Sequence, residues 1–288
     1  MLRLLPARSL DQGIDYFNGL VETNIASHMA DGTIRAYQQA SSLSLMPVSL
    51  IGVAISNAAF PRMTQRLSDG EDDLFRRELR TILRWIIWLA LPIATITFFT
   101  RGFIVTFIKN GGNALIAGLL GALVISILFR TIYHIAARVF YAKQDTKTPL
   151  YISIFSIGLN ILLAVVFTSV FGWGVYGLAW AQSIVAVVEV AILFVILSAR
   201  IPRLFNTVFL HAVMRMVGAS GIMGLATYIT VQLFQLQSDD MSFLSTFPKF
   251  GIITLVSFAV YVWVSTLFHL SEPKPILARV KAILFSRR

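Results

Sequence analysis

Cysteine is absent from this 288-residue sequence, and charge is scarce: Asp, Glu, Lys and Arg make up 13% of the chain, about half the share of an average soluble domain. The first absence excludes disulfides and thiolate metal sites. The other metal-binding residue types do not compensate. Four histidines and fourteen acids show no zinc or haem spacing, so no cofactor is expected. There is no nucleophile at a recognisable distance from a base, and no glycine loop that could cradle a phosphate. Nothing supports a catalytic reading, and the sequence reads as a non-enzyme. The start also does not read as a cleavable leader, because Pro6 and Asp11 interrupt it before an apolar core forms.

What is abundant is apolar sequence. Hydrophobic residues reach 57% and the mean hydropathy is +0.76. The apolar residues fall in runs of about 20, the length at which a helix spans the hydrocarbon layer. Runs near 10–29, 37–60, 82–101, 114–138, 149–171, 174–198, 207–233 and 248–270 predict an all-α, polytopic transmembrane bundle of about eight spans. Polar segments with turn residues separate them, among them Ser68-Asp69-Gly70 and Gly172-Trp173-Gly174. The first run is weak by hydropathy and is amphipathic.

The basic excess supports this threading. With the N-terminus inside, nineteen lysines and arginines fall on the cytoplasmic side and four outside, as the positive-inside rule requires. Both termini are then cytoplasmic. Spread over many loops, this charge forms no single surface for nucleic acid, so no nucleic-acid partner is expected. The segment Asp69–Arg84 reads as an interfacial helix, with Leu74, Phe75, Leu79, Ile82 and Leu83 at helical spacing and Arg76, Arg80 and Arg84 on another face. Such a helix either lies on anionic lipid or is a solvated loop helix.

Ionisable groups inside spans are costly and so mark function or buried pairing. In the first run Asp11, Asp15, Asn18 and Glu22 follow i, i+4, i+7, i+11, a sector of roughly 60° along about 16 Å of helix. The face would line a water-filled cavity, or rest in water if the helix never crosses. In the fourth run Ser126, Arg130, His134 and Arg138 recur every four residues. Arg138 can snorkel to the cytoplasmic headgroups. Arg130 lies about 12 Å deeper and needs water, an acidic partner such as Glu22 or Asp15, or an anionic ligand. A basic ladder suits a phosphate-bearing substrate, because arginine offers phosphate a bidentate fork; the other reading is an ion pair joining two helices. Gln182 and Glu189 share a face of the sixth run. Pro47 and Pro92 are expected to kink their helices.

Two stretches carry a resemblance. Ile25-Ala26-Ser27, Gly32, Ala40, Leu43, Pro47, Gly52-Val53-Ala54 and Phe60-Pro61 form one. Phe140-Tyr141-Ala142-Lys143-Gln144-Asp145-Thr146-Lys147-Thr148-Pro149, followed by Asn160, is the more specific second. Together they resemble the MurJ (MviN) family of lipid II flippases in the multidrug/oligosaccharidyl-lipid/polysaccharide exporter superfamily. The resemblance implies that residues 1–200 match the family's second six-helix lobe and 201–288 its final helix pair, which forms a groove for a lipid tail. The family's first lobe has no counterpart here, so a separate first lobe or a homodimer would complete the cavity. One departure is visible: where the family has an arginine before the proline, this chain has Ser42, and Arg130 would supply that charge from another helix.

The expected activity is therefore flipping of lipid II, or part of it, across the bacterial inner membrane by alternating access. The substrate contacts would be Asp15, Asn18, Glu22, Ser42, Arg130, His134 and Arg138. A related exporter of other undecaprenyl-linked sugars, and a non-transporting scaffold for cell-wall synthesis, remain open as alternatives.

Overall fold

Pro47 cannot donate a backbone hydrogen bond, and its ring crowds the carbonyl four residues earlier. Around it the chain leaves regular α-geometry. In a computed structural model describing residues 19, 21, 23, 32–108, 112–236 and 243–285, α1 (Thr33–Pro47) passes into a π-helical stretch, Val48–Val53, and then into α2 (Ala54–Ser68). The remaining helices are α3 (Asp72–Ile108), α4 (Ala114–Ala142), α5 (Lys147–Val165), α6 (Val175–Arg200), α7 (Thr207–Leu233), α8 (Phe243–Leu267) and α9 (Pro273–Phe285). A second π-helical stretch, Val166–Val170, extends α5. No strand occurs among the described residues.

Seven of these segments are long and apolar enough to cross a membrane, with the α1–α2 segment Thr33–Ser68 counted as one. Each expected span from 37 to 270 falls on one of them. The expected run at 10–29 lies outside the described residues, apart from the helical positions 19, 21 and 23. From Asp72 onward the Asp69–Arg84 segment is continuous with the third expected span in the 37-residue α3, and Phe75, Leu79 and Leu83 are fully buried rather than turned to lipid. An amphipathic pattern specifies an apolar neighbour without saying whether that neighbour is lipid or protein.

Helix ends follow local chemistry. Asn206 caps α7 by accepting a hydrogen bond from the Phe209 amide at 2.9 Å. Helices α2, α4 and α8 end in the same turn, with a left-handed residue at Gly70 (φ 74°), Gln144 (φ 60°) and His269 (φ 55°). In each, the last amides bond back to the helix carbonyls, as Leu270 does to Ser265 at 3.0 Å.

Contacts divide the chain into two compact units: Met1–Ile82 with Ala114–Leu204, and Leu83–Asn113 with Phe205–Arg288. This division differs from a cut at residue 200, because the apolar part of α3 packs with α7 and α8. In the second unit the buried Trp88 indole donates to Ser265 Oγ at 3.1 Å, and the Tyr261 hydroxyl donates to the Trp88 carbonyl at 2.9 Å. Thr95 and Ser220 hydroxyls lie 2.8 Å apart, and Thr227 donates to Ser257 at 2.8 Å. Hydroxyl pairs of this kind join apolar helices where water cannot.

The first unit is built on α4, packed against α1, its π-helical extension and α6, with α5 also against α6. Its α4–α5 connection is clamped. Asp145 accepts bonds from the Lys147 and Thr148 amides at 3.1 and 3.0 Å, from the Thr148 hydroxyl at 2.6 Å, and from Arg200 at the end of α6. Partial burial works to raise the Asp145 pKa, but the Thr148 and Arg200 bonds outweigh it and hold the carboxyl at about 2. A folded-state value below the unfolded one, near 3.9, stabilises the fold above about pH 4, and that contribution is lost as pH falls towards 2. The thermal midpoint of the native chain should therefore drop faster between pH 4 and 2 than that of Asp145→Asn. Parallel pH profiles for the two proteins would show that the clamp contributes no stability.

Candidate functional site

Three residues of the α4 ladder converge with polar residues of α5 and α6 on one cavity of about 350 Å3 inside the first unit. Arg130, His134 and Arg138 stand at successive turns of α4, with Tyr133 and Tyr141 on the neighbouring strip. From α5 come Ser153, Ser156 and Asn160 at i, i+3, i+7, and from α6 Gln182 and Glu189, seven residues apart. Leu45, Val48 and Val53 close it from α1 and its π-helical extension. Glu189 is the one carboxylate among these lining residues, against the two guanidinium groups of Arg130 and Arg138, so the cavity is cationic.

Its polar groups are only partly satisfied. The Arg138 guanidinium donates to Asn57 Oδ1 and sits 5.4 Å over the Phe60 ring. Tyr133 and Ser153 hydroxyls are 3.3 Å apart. Arg130 Nε, Ser156 Oγ and Gln182 Oε1 are buried and have no hydrogen-bond partner among the described residues. Buried polar atoms are almost always partnered, so a cluster of three on one cavity wall suits a polar ligand. The chemistry on offer is binding: forked donors for an anionic oxygen group, with hydroxyl and amide groups for its polar surroundings. Among the described residues no set of three His, Cys, Asp or Glu could hold a metal.

The residues expected from the sequence are placed unequally. Arg130, His134 and Arg138 come together in the cavity. Ser126, the next position of the ladder, is buried and donates to the Leu123 carbonyl at 2.7 Å outside it. Ser42 is exposed on α1 and does not line it. The α1 face that meets α4 is formed instead by small residues such as the fully buried Ala40. Asp11, Asp15, Asn18 and Glu22 lie outside the described residues. The sequence reading missed Tyr133, Tyr141, Ser153, Ser156 and, as a lining residue, Asn160. Their signal was available: three polar side chains at helical spacing in the otherwise apolar α5.

Gly52 holds the α1 side of the cavity against α4. A Cβ there would meet the Thr131 Cα and carbonyl oxygen at 2.9 Å and His134 Cδ2 at 3.2 Å. Backbone atoms cannot swing aside as a side-chain tip can. Gly52→Ala is expected to force the two helices apart, costing about 1–3 kcal/mol, and to displace His134. Thermal melting of the purified protein checks this, and an unchanged midpoint would mean that the contact relaxes freely. Gly118 is a natural control, because its added Cβ meets only the side chain of Tyr176.

Comparison with known proteins bears on the family and the fold. A family model described as lipid II flippase MurJ matches residues 1–248. A probable lipid II flippase MurJ from Thermotoga maritima is 25% identical over 290 residues, covering 96% of this chain and 54% of its own length. Its counterpart in Aquifex aeolicus is 26% identical over 242 residues, covering 82% and 46%. The chain thus spans about half the length of the curated relatives it matches. Among solved structures, the fold is similar to that of a lipid II flippase MurJ in an inward closed conformation, with a TM-score of 0.74 at 22% identity over 90% of this chain and 52% of the other. It is also similar to an outward-facing multidrug resistance MATE family transporter of the MOP superfamily, with a TM-score of 0.62 at 16% identity over 94% and 64%. Both structural likenesses are of fold.

Proposed function

We propose that this chain, which belongs to the lipid II flippase MurJ family, supplies the second lobe and final helix pair of a lipid II flippase. It would sit in the bacterial inner membrane with both termini in the cytoplasm, as the basic loops favour. The observation that carries the reading is the cavity of the first unit, where Arg130, His134 and Arg138 line one wall and buried polar atoms await a partner. A pyrophosphate-linked sugar headgroup has the anionic oxygens and hydroxyls such a wall would bind. The polyprenyl tail would stay in lipid, along the α7–α8 pair. Transport would proceed by alternating access, the substrate site opening first to one side and then to the other, and no covalent bond would be made or broken. A first lobe from another chain or another part of the same protein, or a second copy of this chain, would complete the cavity. Of the expected contacts, Asp15, Asn18 and Glu22 would lie on the first span. Ser42, exposed on α1, is the weakest of the set.

Complementation of a flippase-depleted bacterium tests this. Rescue by this chain alone would mean that it assembles a complete cavity with itself. Rescue only when a first lobe is co-expressed would mark it as one half of the transporter. Failure of both, with the protein present in the membrane, would overturn the reading and favour an exporter of other undecaprenyl-linked sugars or a scaffold.

A further inference from the structure

A second basic cavity, of about 520 Å3, lies in the other unit, where the start of α7 meets the end of α8. It is lined by Arg84, His211, Arg215 and His269 with Ser271, and by no carboxylate. Arg84 is fixed there by Glu272, 2.6 Å from its Nε, and by Ser271 Oγ at 3.0 Å. Glu272 is 3% exposed, so it offsets Arg84 from below without facing the opening. Arg215 has no such offset. Among the described residues it makes a long bond, 3.4 Å to the Phe268 carbonyl, and no acidic group lies within ion-pair distance. His211 Nδ1 lies 2.7 Å from the Thr207 carbonyl oxygen.

His269 is placed at a cost. It occupies the left-handed position of the turn that ends α8, where glycine is the favoured residue and a side chain is strained. Glycine serves at the equivalent turn of α2 (Gly70). At α8 the strained residue instead brings an imidazole to a cavity that already holds two arginines.

The surroundings specify the source of the ligand. Arg215 lies about 12 Å along α7 from its start, within a helix that is apolar enough to span a membrane. Val208, which lines the cavity on the same face of α7 as Arg215, is 63% exposed, and Leu267, two residues before His269, is 52% exposed. Exposed cations beside exposed apolar side chains are the composition of a headgroup-level lipid contact, not of a site for a water-borne ion. We propose that this cavity holds the phosphate of an anionic phospholipid, clasped by Arg215 and His269 beside the anchored guanidinium of Arg84, with an acyl chain leaving past Val208. This site is separate from the α4 cavity and does not depend on what that cavity transports.

Native mass spectrometry of the full chain, stripped of lipid in detergent and titrated with phosphatidylglycerol, phosphatidylcholine or inorganic phosphate, tests the proposal. The native protein should retain one phosphatidylglycerol in preference to phosphatidylcholine. Arg215→Gln should weaken that binding at least about tenfold, as expected for losing one charge-assisted contact, while Lys274→Gln, on the exposed start of α9, should not. His269→Gly provides a readout that a structural role would not give: a higher melting temperature together with weaker phosphatidylglycerol binding. Equal binding of the two phospholipids, or undiminished binding by Arg215→Gln and His269→Gly, would overturn the proposal. Displacement of phosphatidylglycerol by millimolar inorganic phosphate would overturn the lipid source in favour of a free anion.

Discussion

Replacing Arg130 with leucine is expected to abolish rescue of flippase-depleted cells while leaving the melting temperature of the purified chain unchanged or raised. The two halves of this result separate the readings of a deep arginine. If Arg130 were one side of a structural ion pair, its removal would strand a buried acid and cost about 3–5 kcal/mol. The geometry argues otherwise: its Nε is buried and unpartnered among the described residues, and the side chain lines a cavity. The shorter, apolar leucine removes a desolvation cost there instead of breaking a bond. For the anionic substrate, losing a buried charge contact costs about 2–5 kcal/mol, roughly thirtyfold to several thousandfold in affinity. Arg130→Lys should recover only part of this, since an ammonium lacks the planar fork. A large fall in stability for Arg130→Leu would restore the ion-pair reading, with an acid of the first span as the partner.

The second large effect concerns Glu272. Alanine at this position would leave the Arg84 guanidinium facing a buried gap in place of a carboxylate 2.6 Å away. The carboxylate is 3% exposed and the guanidinium side chain 21%, so the pair is shielded from water and the loss is expected at about 3 kcal/mol. The double variant Arg84→Met, Glu272→Met should recover most of it, because two apolar residues leave no orphaned charge. Thermal or denaturant unfolding of the two single variants and the double one measures the coupling directly. Simple additivity would show that the pair contributes nothing beyond its separate side chains.

Which of these features could be read from the sequence follows from how each is encoded. The α4 ladder was legible because a four-residue spacing of basic residues in an apolar run has few explanations. The hydroxyl face of α5 has the same regularity, but serine is cheap enough in a span that its pattern does not stand out until the facing helices are seen. The membership of the second unit was not legible. Trp88 and Ser265 meet across 177 residues and Thr95 and Ser220 across 125, and hydropathy carries no information about which span touches which. The start of α3 shows the same limit: Phe75 and Leu79 were read as an apolar face, but only the fold could say that protein covers them. Ser42 was picked by motif alignment with a family, and position along a helix did not place it in the cavity that its counterpart was expected to line.

The π-helical stretch after Pro47 has a consequence for how this protein can change. A turn closed one residue later than an α-turn sets everything beyond it back by about 100° around the axis relative to regular winding, so α1 and α2 present faces that no single helical wheel connects. Gly52 meets α4 within this stretch, and Asn57 meets Arg138 just beyond it. Rewinding Val48–Val53 as regular α-helix at its full length would turn Asn57 away from Arg138 with every helical residue still helical, whereas deleting one residue would restore regular winding and keep the two facing. The spacing between Pro47 and Asn57 is thus a phase setting, in which the loss of one residue should be tolerated better than the gain of one.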